Sequence, residues 1–155
     1  MLVYIMQLDK FTDYGLRILV TLAAKSPARI PTSAIAQVFD LSEHHLAKVA
    51  SELVRGGYVS SERGRGGGLT LSRKAADISL GAVVRSLQSD KPVVSCFGTD
   101  KSCLILPTCG LRSPLAAAQE AFFATLDRYT LADVTTQKSA LAALLLMPHG
   151  SGSAP

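Results

Sequence analysis

The first half of the chain places apolar residues every three or four positions, which is the period of an amphipathic helix. Over residues 11–25, Leu16, Leu19, Val20 and Ala23 fall on one face. This spacing predicts a first helix with one buried side.

Two shorter amphipathic segments follow a predicted turn at residues 27–31. Thr32 or Ser33 is expected to cap a second helix, and Ser42 is expected to be the N-cap of a third. The Gly56-Gly57 pair is expected to end the third helix. The predicted buried positions of that helix are Leu46, Val49, Ala50 and Leu53.

Two short helices joined by a tight turn predict a helix-turn-helix, in which the second helix of the pair enters the major groove of DNA. The opposite face of this predicted helix is polar and rich in hydrogen-bond donors, although a solvated helix face is the alternative. The candidate DNA contacts on the two helices are Thr32, Ser33, Ser42, Glu43, His44, His45 and Lys48.

Residues 58–63 and 69–72 resemble two β-strands, joined by a glycine-rich segment that predicts a hairpin tip. Arg63, Arg65 and Gly66 are the expected contacts with the DNA backbone or minor groove. A nucleotide-binding P-loop is the weaker alternative, since no Gly-Lys-Ser/Thr precedes a helix here. The segment is therefore predicted to be a basic wing.

The three cysteines of the chain lie in one segment without helical period, residues 89–112, after a predicted fourth helix at residues 77–87. Cys96, Cys103 and Cys109 are an odd set of thiols and cannot all pair as disulfides. An iron-sulfur cluster or a zinc site would need a fourth ligand from elsewhere. Ordinary half-buried thiols are the alternative to a metal site.

Residues 113–147 predict a long helix followed by a further helical segment, with Ser113 as cap and Pro114 in the first turn. An apolar stripe along the long helix predicts a homodimer interface, whereas folding back on its own domain is the alternative. The stripe consists of Leu115, Ala118, Phe122 and Leu126. The polar tail, residues 148–155, is expected to be disordered.

Charge and hydropathy narrow the class of protein. The net charge of +4 arises from residues 1–74, which hold ten Lys and Arg against six Asp and Glu. The longest apolar run, residues 140–147, is too short to span a bilayer, and the N-terminus does not resemble a signal peptide. A cytoplasmic protein without membrane contact is expected, and the absence of a catalytic set around the cysteines favours a regulator over an enzyme.

Several motifs together resemble a known family. They are residues 11–17 (Phe-Thr-Asp-Tyr-Gly-Leu-Arg), residues 63–69, the three spaced cysteines and residues 129–133 (Tyr-Thr-Leu-Ala-Asp). The chain is similar to the winged-helix iron-sulfur transcriptional repressors, the group that contains the NsrR, IscR and RirA branches. The likeness runs from about Met6 to about Leu146, which makes Met6 a candidate start.

The resemblance implies a mainly α fold with a small β-hairpin wing: a winged helix-turn-helix over residues 6–88, a cysteine loop and a long dimerisation helix. It also implies a double-stranded DNA operator as partner. Among the branches the likeness is strongest to the nitric-oxide-sensing NsrR proteins.

In that branch the resemblance implies a 4Fe-4S cluster held by the three cysteines and by Asp13 of the partner subunit. A 2Fe-2S cluster or zinc is the alternative. Arg112 stands where IscR-like proteins have a histidine ligand. An iron-responsive, RirA-like repressor and a zinc- or thiol-based regulator remain alternatives.

Overall fold

The computed structural model describes residues 8–88 and 93–145. These residues form seven α-helices and one two-stranded sheet, which confirms a mainly α fold with a small hairpin. The elements are α1 Lys10–Lys25, α2 Thr32–Phe39, α3 Glu43–Arg55, β1 Val59–Glu62, β2 Gly68–Leu71, α4 Leu80–Leu87, α5 Arg112–Asp127, α6 Leu131–Val134 and α7 Lys138–Leu144.

Helix α1 forms the centre of the fold. Its N-cap is Asp9, whose carboxylate accepts a hydrogen bond from the Thr12 amide (2.8 Å) and satisfies a free donor of the first turn. Ile18, Leu19 and Leu22 are buried completely or almost so. Helix α1 contacts α3, α4, α6, α7 and β2, so five elements pack around one central helix.

The second helix starts differently from the prediction. Pro31 is the N-cap of α2 and no side chain caps the helix, so the expectation that Thr32 or Ser33 would cap it is wrong. Pro31 has the extended backbone that is typical of an N-cap residue (φ −62°, ψ 143°), so the helix starts here without a side-chain acceptor. Asp40 ends α2 in the left-handed conformation (φ 51°), which turns the chain towards α3.

Helix α3 matches the prediction at its start and along its buried face. The Oγ of Ser42 accepts a hydrogen bond from the amide of His45 (3.4 Å), as expected for an N-cap. The predicted inner positions are all buried, namely Leu46, Val49, Ala50 and Leu53. The helix-turn-helix is therefore held by an apolar seam against α1 and α2.

The hairpin pairs β1 with β2 in antiparallel register from Val59 opposite Leu71 to Glu62 opposite Gly68. Leu69 also pairs with Ile30, which fixes the hairpin to the turn before α2. Gly68 has φ 147°, and a Cβ there would lie 2.7 Å from the carbonyl carbon of Ile30. Only glycine allows this close approach, so steric contact with the Ile30 backbone explains the glycine at the start of β2.

Helix α5 begins one residue before the predicted cap. It starts at Arg112 after Leu111, without a side-chain cap, and Ser113 and Pro114 are already helical. The prediction was wrong by this small margin because the first helical amides need no internal partner, so a proline is tolerated anywhere in the first turn. The cysteine loop therefore ends at Leu111, and it contains single 3-10 turns at Ser95–Phe97 and Leu106–Thr108.

The C-terminal helices return to the core. Leu131 of α6 is fully buried, and its amide donates to the carbonyl of Ile78 (2.9 Å). Thr130 and Asp133 form a reciprocal capping box at the start of α6. The hydrogen bond from the Thr130 amide is the main cause that lowers the pKa of the Asp133 carboxyl.

Three expectations lie outside the described residues. They are the candidate start at Met6, the disordered tail at residues 148–155 and the first positions of the cysteine loop. Within the described ranges, no helix is both long and apolar enough to cross a bilayer.

Replacing Leu53 with Ala should lower the free energy of unfolding by about 2–5 kcal/mol, because Leu53 is fully buried and its removal leaves a cavity. Urea unfolding of the full chain measures this change. Leu104→Ala is the matched control, since Leu104 is 94% exposed and its loss should cost less than about 0.5 kcal/mol. Equal losses in both variants would contradict the assigned core.

Candidate nucleic-acid interface and cysteine loop

The N-terminal turns of α3 are open to solvent. Glu43, His44, His45 and Lys48 are all exposed, and the two imidazole rings lie 6.1 Å apart. Because the opposite face of the helix is buried, the core fixes the direction in which this exposed face points. The predicted surface therefore exists as one polar face with donors and acceptors suited to base edges.

The start of α2 contributes two hydroxyl groups beside this helix. Thr32 is half-buried and Ser33 is exposed. Neither hydroxyl is used to cap α2. Both predicted contacts thus keep their hydrogen-bonding capacity for a phosphate or sugar oxygen.

The tip of the hairpin, residues 63–67, is named here the wing tip. Arg63, Arg65 and Gly66 are exposed, as predicted, and Gly64 and Gly66 have positive φ (93° and 69°). In the described part of the chain neither arginine has a salt-bridge partner. The wing tip therefore presents two unneutralised guanidinium groups on a backbone that can approach another surface closely.

An arginine that sequence reasoning missed supports the wing tip from behind. Arg29 Nη1 lies 2.7 Å from Glu62 Oε2 at the end of β1 and donates to the carbonyl of Gly66 (3.3 Å). The same side chain thus joins the turn before α2 to both sides of the tip. No local pattern announces this contact, because Arg29 and Gly66 are 37 positions apart in the sequence.

Two of the acidic groups near this surface are paired, whereas Glu43 has no salt-bridge partner among the described residues. Glu62 is neutralised by Arg29, and Glu52 lies 3.1 Å from Arg55 on the same helix. In the described ranges the unpaired charges on this surface are therefore three cations, Lys48, Arg63 and Arg65, against the single carboxylate of Glu43. The local field is therefore positive, which suits a polyanion.

The three thiols lie in the loop between α4 and α5. Cys96 and Cys109 are half-buried, Cys103 is exposed, and all three are free. Lys101 Nζ donates to the Cys96 carbonyl (2.6 Å), which folds the first interval of the loop back on itself. Half-buried, free thiols are accessible to a metal and shielded on one side.

A small turn fixes the interval before Cys103. The carboxylate of Asp100 accepts hydrogen bonds from the hydroxyl (2.6 Å) and the amide (2.9 Å) of Ser102. The side-chain bond is the larger cause that lowers the pKa of the Asp100 carboxyl. This carboxylate is therefore used within the loop.

Asp13 lies on the outer side of α1, and within the described ranges it does not form a metal-holding group with the cysteines predicted to share a cluster with it. Its carboxylate pairs with Arg17 one turn later, with 2.9 Å from Oδ2 to Nη2 and 3.2 Å from Oδ1 to Nε. The two side chains are about equally exposed, 41% for Asp13 and 40% for Arg17. The pair is bidentate but exposed to solvent, so its contribution to the free energy of unfolding is small.

The donor chemistry fits an iron-sulfur cluster, since thiolates are its usual ligands and a carboxylate can complete the set. Across residues 8–88 and 93–145, however, no three His, Cys, Asp or Glu side chains lie together as a group that could hold a metal ion. The described part of one chain thus supplies the donors without assembling them.

Helix α5 has two distinct sides. Leu115, Phe122 and Leu126 are half-buried and Ala118 is exposed, so the predicted stripe is only partly covered within the chain. The side of α5 that packs against α4 carries Glu120, Phe123 and Asp127. At 100° per residue, it lies about 130° around the helix from the centre of the apolar stripe. Folding back on its own domain therefore uses a different face from the predicted dimer stripe.

Arg85 of α4 joins the two helices. Its Nη2 lies 2.6 Å from Asp127 Oδ2 and 3.1 Å from Glu120 Oε1, and its guanidinium lies 4.5 Å from the centre of the Phe123 ring. The hydrogen bond to Asp127 is the main cause that raises the pKa of Arg85. A Cβ at Gly81 would collide with the Asp127 carboxylate, so the helices approach closely here. The contact of Arg85 with Glu120, Phe123 and Asp127 is named the Arg85 joint.

The comparisons with known proteins identify close similarity over most of the chain. The model of the Rrf2 family, described as iron-dependent transcriptional regulators, matches residues 8–137. The HTH-type transcriptional regulator NsrR of Bacillus subtilis is 42% identical over 144 residues, which cover 92% of this chain and 99% of that protein. The protein of the same name from Geobacillus kaustophilus is 42% identical over 147 residues, covering 94% and 100%.

Solved structures of related regulators share the fold. CymR, the global cysteine regulator of B. subtilis, superposes with a TM-score of 0.62 at 28% identity and covers 86% of this chain and 98% of its own. T. potens IscR superposes with a TM-score of 0.65 at 25% identity and covers 94% of each chain.

Arg29→Gln should loosen the wing tip, because the substitution removes the ion pair to Glu62. We expect the amide of Gly67 to exchange with solvent about 2–5 times faster, as loss of an exposed pair of up to about 1 kcal/mol implies. Hydrogen exchange followed by nuclear magnetic resonance measures this. Arg55→Gln removes a surface pair elsewhere and is the control; equal exchange rates in the two variants would show that Arg29 does not support the tip.

Proposed function

The chain belongs to the Rrf2 family of transcriptional regulators, and we propose that it is a repressor that senses nitric oxide through an iron-sulfur cluster. Family membership confirms the expected class, a DNA-binding transcriptional regulator and not an enzyme. The observation that carries the proposal is the combination of an exposed α3 and wing tip with three free thiols in the loop before α5. We place this activity in the cytoplasm, where thiols stay reduced.

In the proposed complex, α3 lies in the major groove of a double-stranded operator. The Glu43 carboxylate can accept from cytosine N4, and Lys48 can donate to guanine O6 or N7. His44 and His45 can donate or accept, depending on the proton of each ring. These four side chains are the proposed source of sequence preference.

Backbone contacts would position the helix on the duplex. The hydroxyls of Thr32, Ser33 and Ser42 suit phosphate oxygens, although Ser42 also caps α3. Arg63 and Arg65 suit phosphates or a narrow minor groove. Since Gly66 has no side chain, the wing tip can lie close to the DNA backbone.

We propose that two copies bind as a homodimer through the apolar stripe of α5. The stripe is partly exposed, and it faces away from the Arg85 joint that binds α5 to its own domain. A two-fold dimer would present two α3 helices to two half-sites. Each subunit would keep its own α4–α5 contact while the stripes pack against each other.

The proposed cluster ligands are Cys96, Cys103 and Cys109 of one subunit and Asp13 of the partner subunit. When bound, a 4Fe-4S cluster supplies an iron whose oxygen ligand exchanges more readily than a thiolate, which makes that iron the natural target of nitric oxide. A 2Fe-2S cluster or zinc is the alternative occupant. Lys101 would keep the Cys96 backbone in place while the thiol is engaged.

Asp13 is the proposed link between the sensing site and the DNA. As a ligand it would give up at least one of its two contacts with Arg17, and once released it could form both again. The exchange costs little because the pair is exposed and worth at most about 1 kcal/mol. Since α1 contacts α3, a change in what holds α1 reaches the helix proposed to read DNA.

Only a modest coupling energy is required. A hundredfold loss of DNA affinity corresponds to about 2.7 kcal/mol, which lies within the usual range for allosteric coupling. The Arg85 joint transmits movement of α5 to α4 because it fixes the guanidinium by two carboxylates and a ring. Loss of the cluster would then derepress the regulated genes.

An iron-responsive repressor is the second candidate function. The description of the Rrf2 family as iron-dependent transcriptional regulators favours it. In that case the loop would lose its cluster when iron is scarce, and the same protein surfaces would bind DNA. The two candidate functions differ in the signal that is sensed and not in the DNA-binding surface, which is α3 with the wing tip.

Arg65→Ala should weaken binding to all duplex sequences and lower the slope of log affinity against log salt concentration by about one per subunit. The reason is the loss of one unpaired charge at the wing tip. Fluorescence anisotropy at four salt concentrations measures the slope. Arg128→Ala, which removes an exposed charge at the end of α5, is the control; an unchanged slope in Arg65→Ala would remove the wing from the phosphates.

Cys103→Ala should abolish the visible absorbance of anaerobically purified protein, together with its iron and sulfide, because the cluster would lose a thiolate. Ser95→Ala, in the same loop, should keep all three. For the intact chain we expect the absorbance to be lost on titration with nitric oxide and to survive a chelator. Retained absorbance in Cys103→Ala would refute the ligand assignment, and loss to the chelator alone would favour the iron-responsive function.

A further inference from the structure

An open cleft of about 490 Å³ lies where the end of α1, the turn after β2 and the start of α7 meet. Its polar lining consists of three cations and two hydroxyls, and the remaining lining residues are alanine and leucine. The polar residues are Ser26, Ser72, Arg73, Lys74 and Lys138. Among the described residues no carboxylate lines the cleft, so three positive charges converge on it without a counter-ion from that part of the chain.

Part of this lining is held in a fixed position. Arg73 Nε donates to the carbonyl of Gly57 (3.0 Å), and its guanidinium lies 5.1 Å from the centre of the Tyr58 ring. The hydroxyl of Ser72 lies 2.8 Å from that of Ser60 on the paired strand. A guanidinium fixed in this way loses little conformational entropy when it binds a ligand.

The two lysines, like Arg73, lack an acidic partner within the part of the chain that the structure describes. Along the described ranges, neither Lys74 nor Lys138 has a salt-bridge partner. They approach the cleft from different elements, Lys74 after β2 and Lys138 at the start of α7. An anion between them would relieve their repulsion and would join the C-terminal helices to the base of the hairpin.

The cleft lies at the opposite end of the hairpin from the wing tip. Ser72 lies four positions after Gly68 along the direction of β2, which corresponds to about 13 Å at 3.3 Å per residue. The surface proposed to contact DNA is at the other end of this strand. Position therefore favours a free anion over a phosphate of the same duplex.

We propose that this cleft is a binding site for a small, multiply charged oxyanion of the phosphate or polycarboxylate class. Arg73 provides a planar fork for two oxygens, the lysines provide point charges, and the hydroxyls of Ser26 and Ser72 provide further hydrogen bonds. The site is separate from the cysteine loop and needs no cluster. Phosphates of DNA share this chemistry and are the other source of such an oxyanion.

Titration of the full-length chain with inorganic pyrophosphate at constant ionic strength tests the site. We expect saturable shifts of the amide signals of Ser72, Lys74 and Lys138. The double variant Lys74→Gln/Lys138→Gln should bind pyrophosphate at least about tenfold more weakly. Lys10→Gln/Arg128→Gln removes the same charge at two exposed positions outside the cleft lining and should bind within twofold of the unaltered chain.

The absence of saturable shifts in the unaltered chain, or an equal loss of affinity in the two double variants, would overturn the proposal. The salt dependence of duplex binding then distinguishes the sources. An unchanged slope in Lys74→Gln/Lys138→Gln, together with weaker pyrophosphate binding, identifies a free anion. A slope reduced by about two per subunit, together with weaker pyrophosphate binding, identifies the DNA backbone as the source of the oxyanion.

Discussion

Burial of α1 is the constraint on which the other elements depend. The helix lies between Val49 of α3 and Leu87 of α4, and a Cβ at Gly15 would come within 2.5 Å of the Leu87 side chain. Its buried face is almost continuous, from Thr12 to Ala24. The orientation of the proposed reading helix and the position of α4 are therefore set by the same packed surface.

This arrangement explains how a ligand on the outside of α1 could influence DNA binding. Asp13 lies on the solvent side of the helix whose inner side supports α3, so a force on the carboxylate acts on the whole core element. The second connection runs through the Arg85 joint, which ties α5, the helix that follows the cysteine loop, to α4. Both routes pass through packed helices, and in the proposed switch these helices have two discrete arrangements, one for each state of the cysteine loop.

The sequence was sufficient for the parts of the fold that are specified locally. The spacing of Leu46, Val49, Ala50 and Leu53 and the Ser42 cap predicted α3, and the glycine-rich segment predicted the hairpin. The errors occurred where a helix begins without a side-chain cap, at Pro31 and Leu111, because such starts are defined by backbone geometry and tertiary packing.

The residues that sequence reasoning missed act over long distances. Arg29 reaches Gly66 across 37 positions, and Arg85 reaches Glu120 and Asp127 across 35 and 42 positions. Their contacts depend on the folded chain, and no periodicity or spacing encodes them. The family motifs placed Asp13 among the candidate cluster ligands. The structure adds that its carboxylate is paired with Arg17. Binding to a cluster would therefore compete with this ion pair.

The most direct measurement is the DNA affinity of anaerobic, cluster-loaded protein before and after nitric oxide, with a duplex selected from random sequences for tight binding. We expect the affinity to fall by about a hundredfold as the visible absorbance is lost, in agreement with about 2.7 kcal/mol of coupling between the two sites. An unchanged affinity after complete loss of the absorbance would contradict the proposed link between the cysteine loop and the DNA-binding surface of α3 and the wing tip.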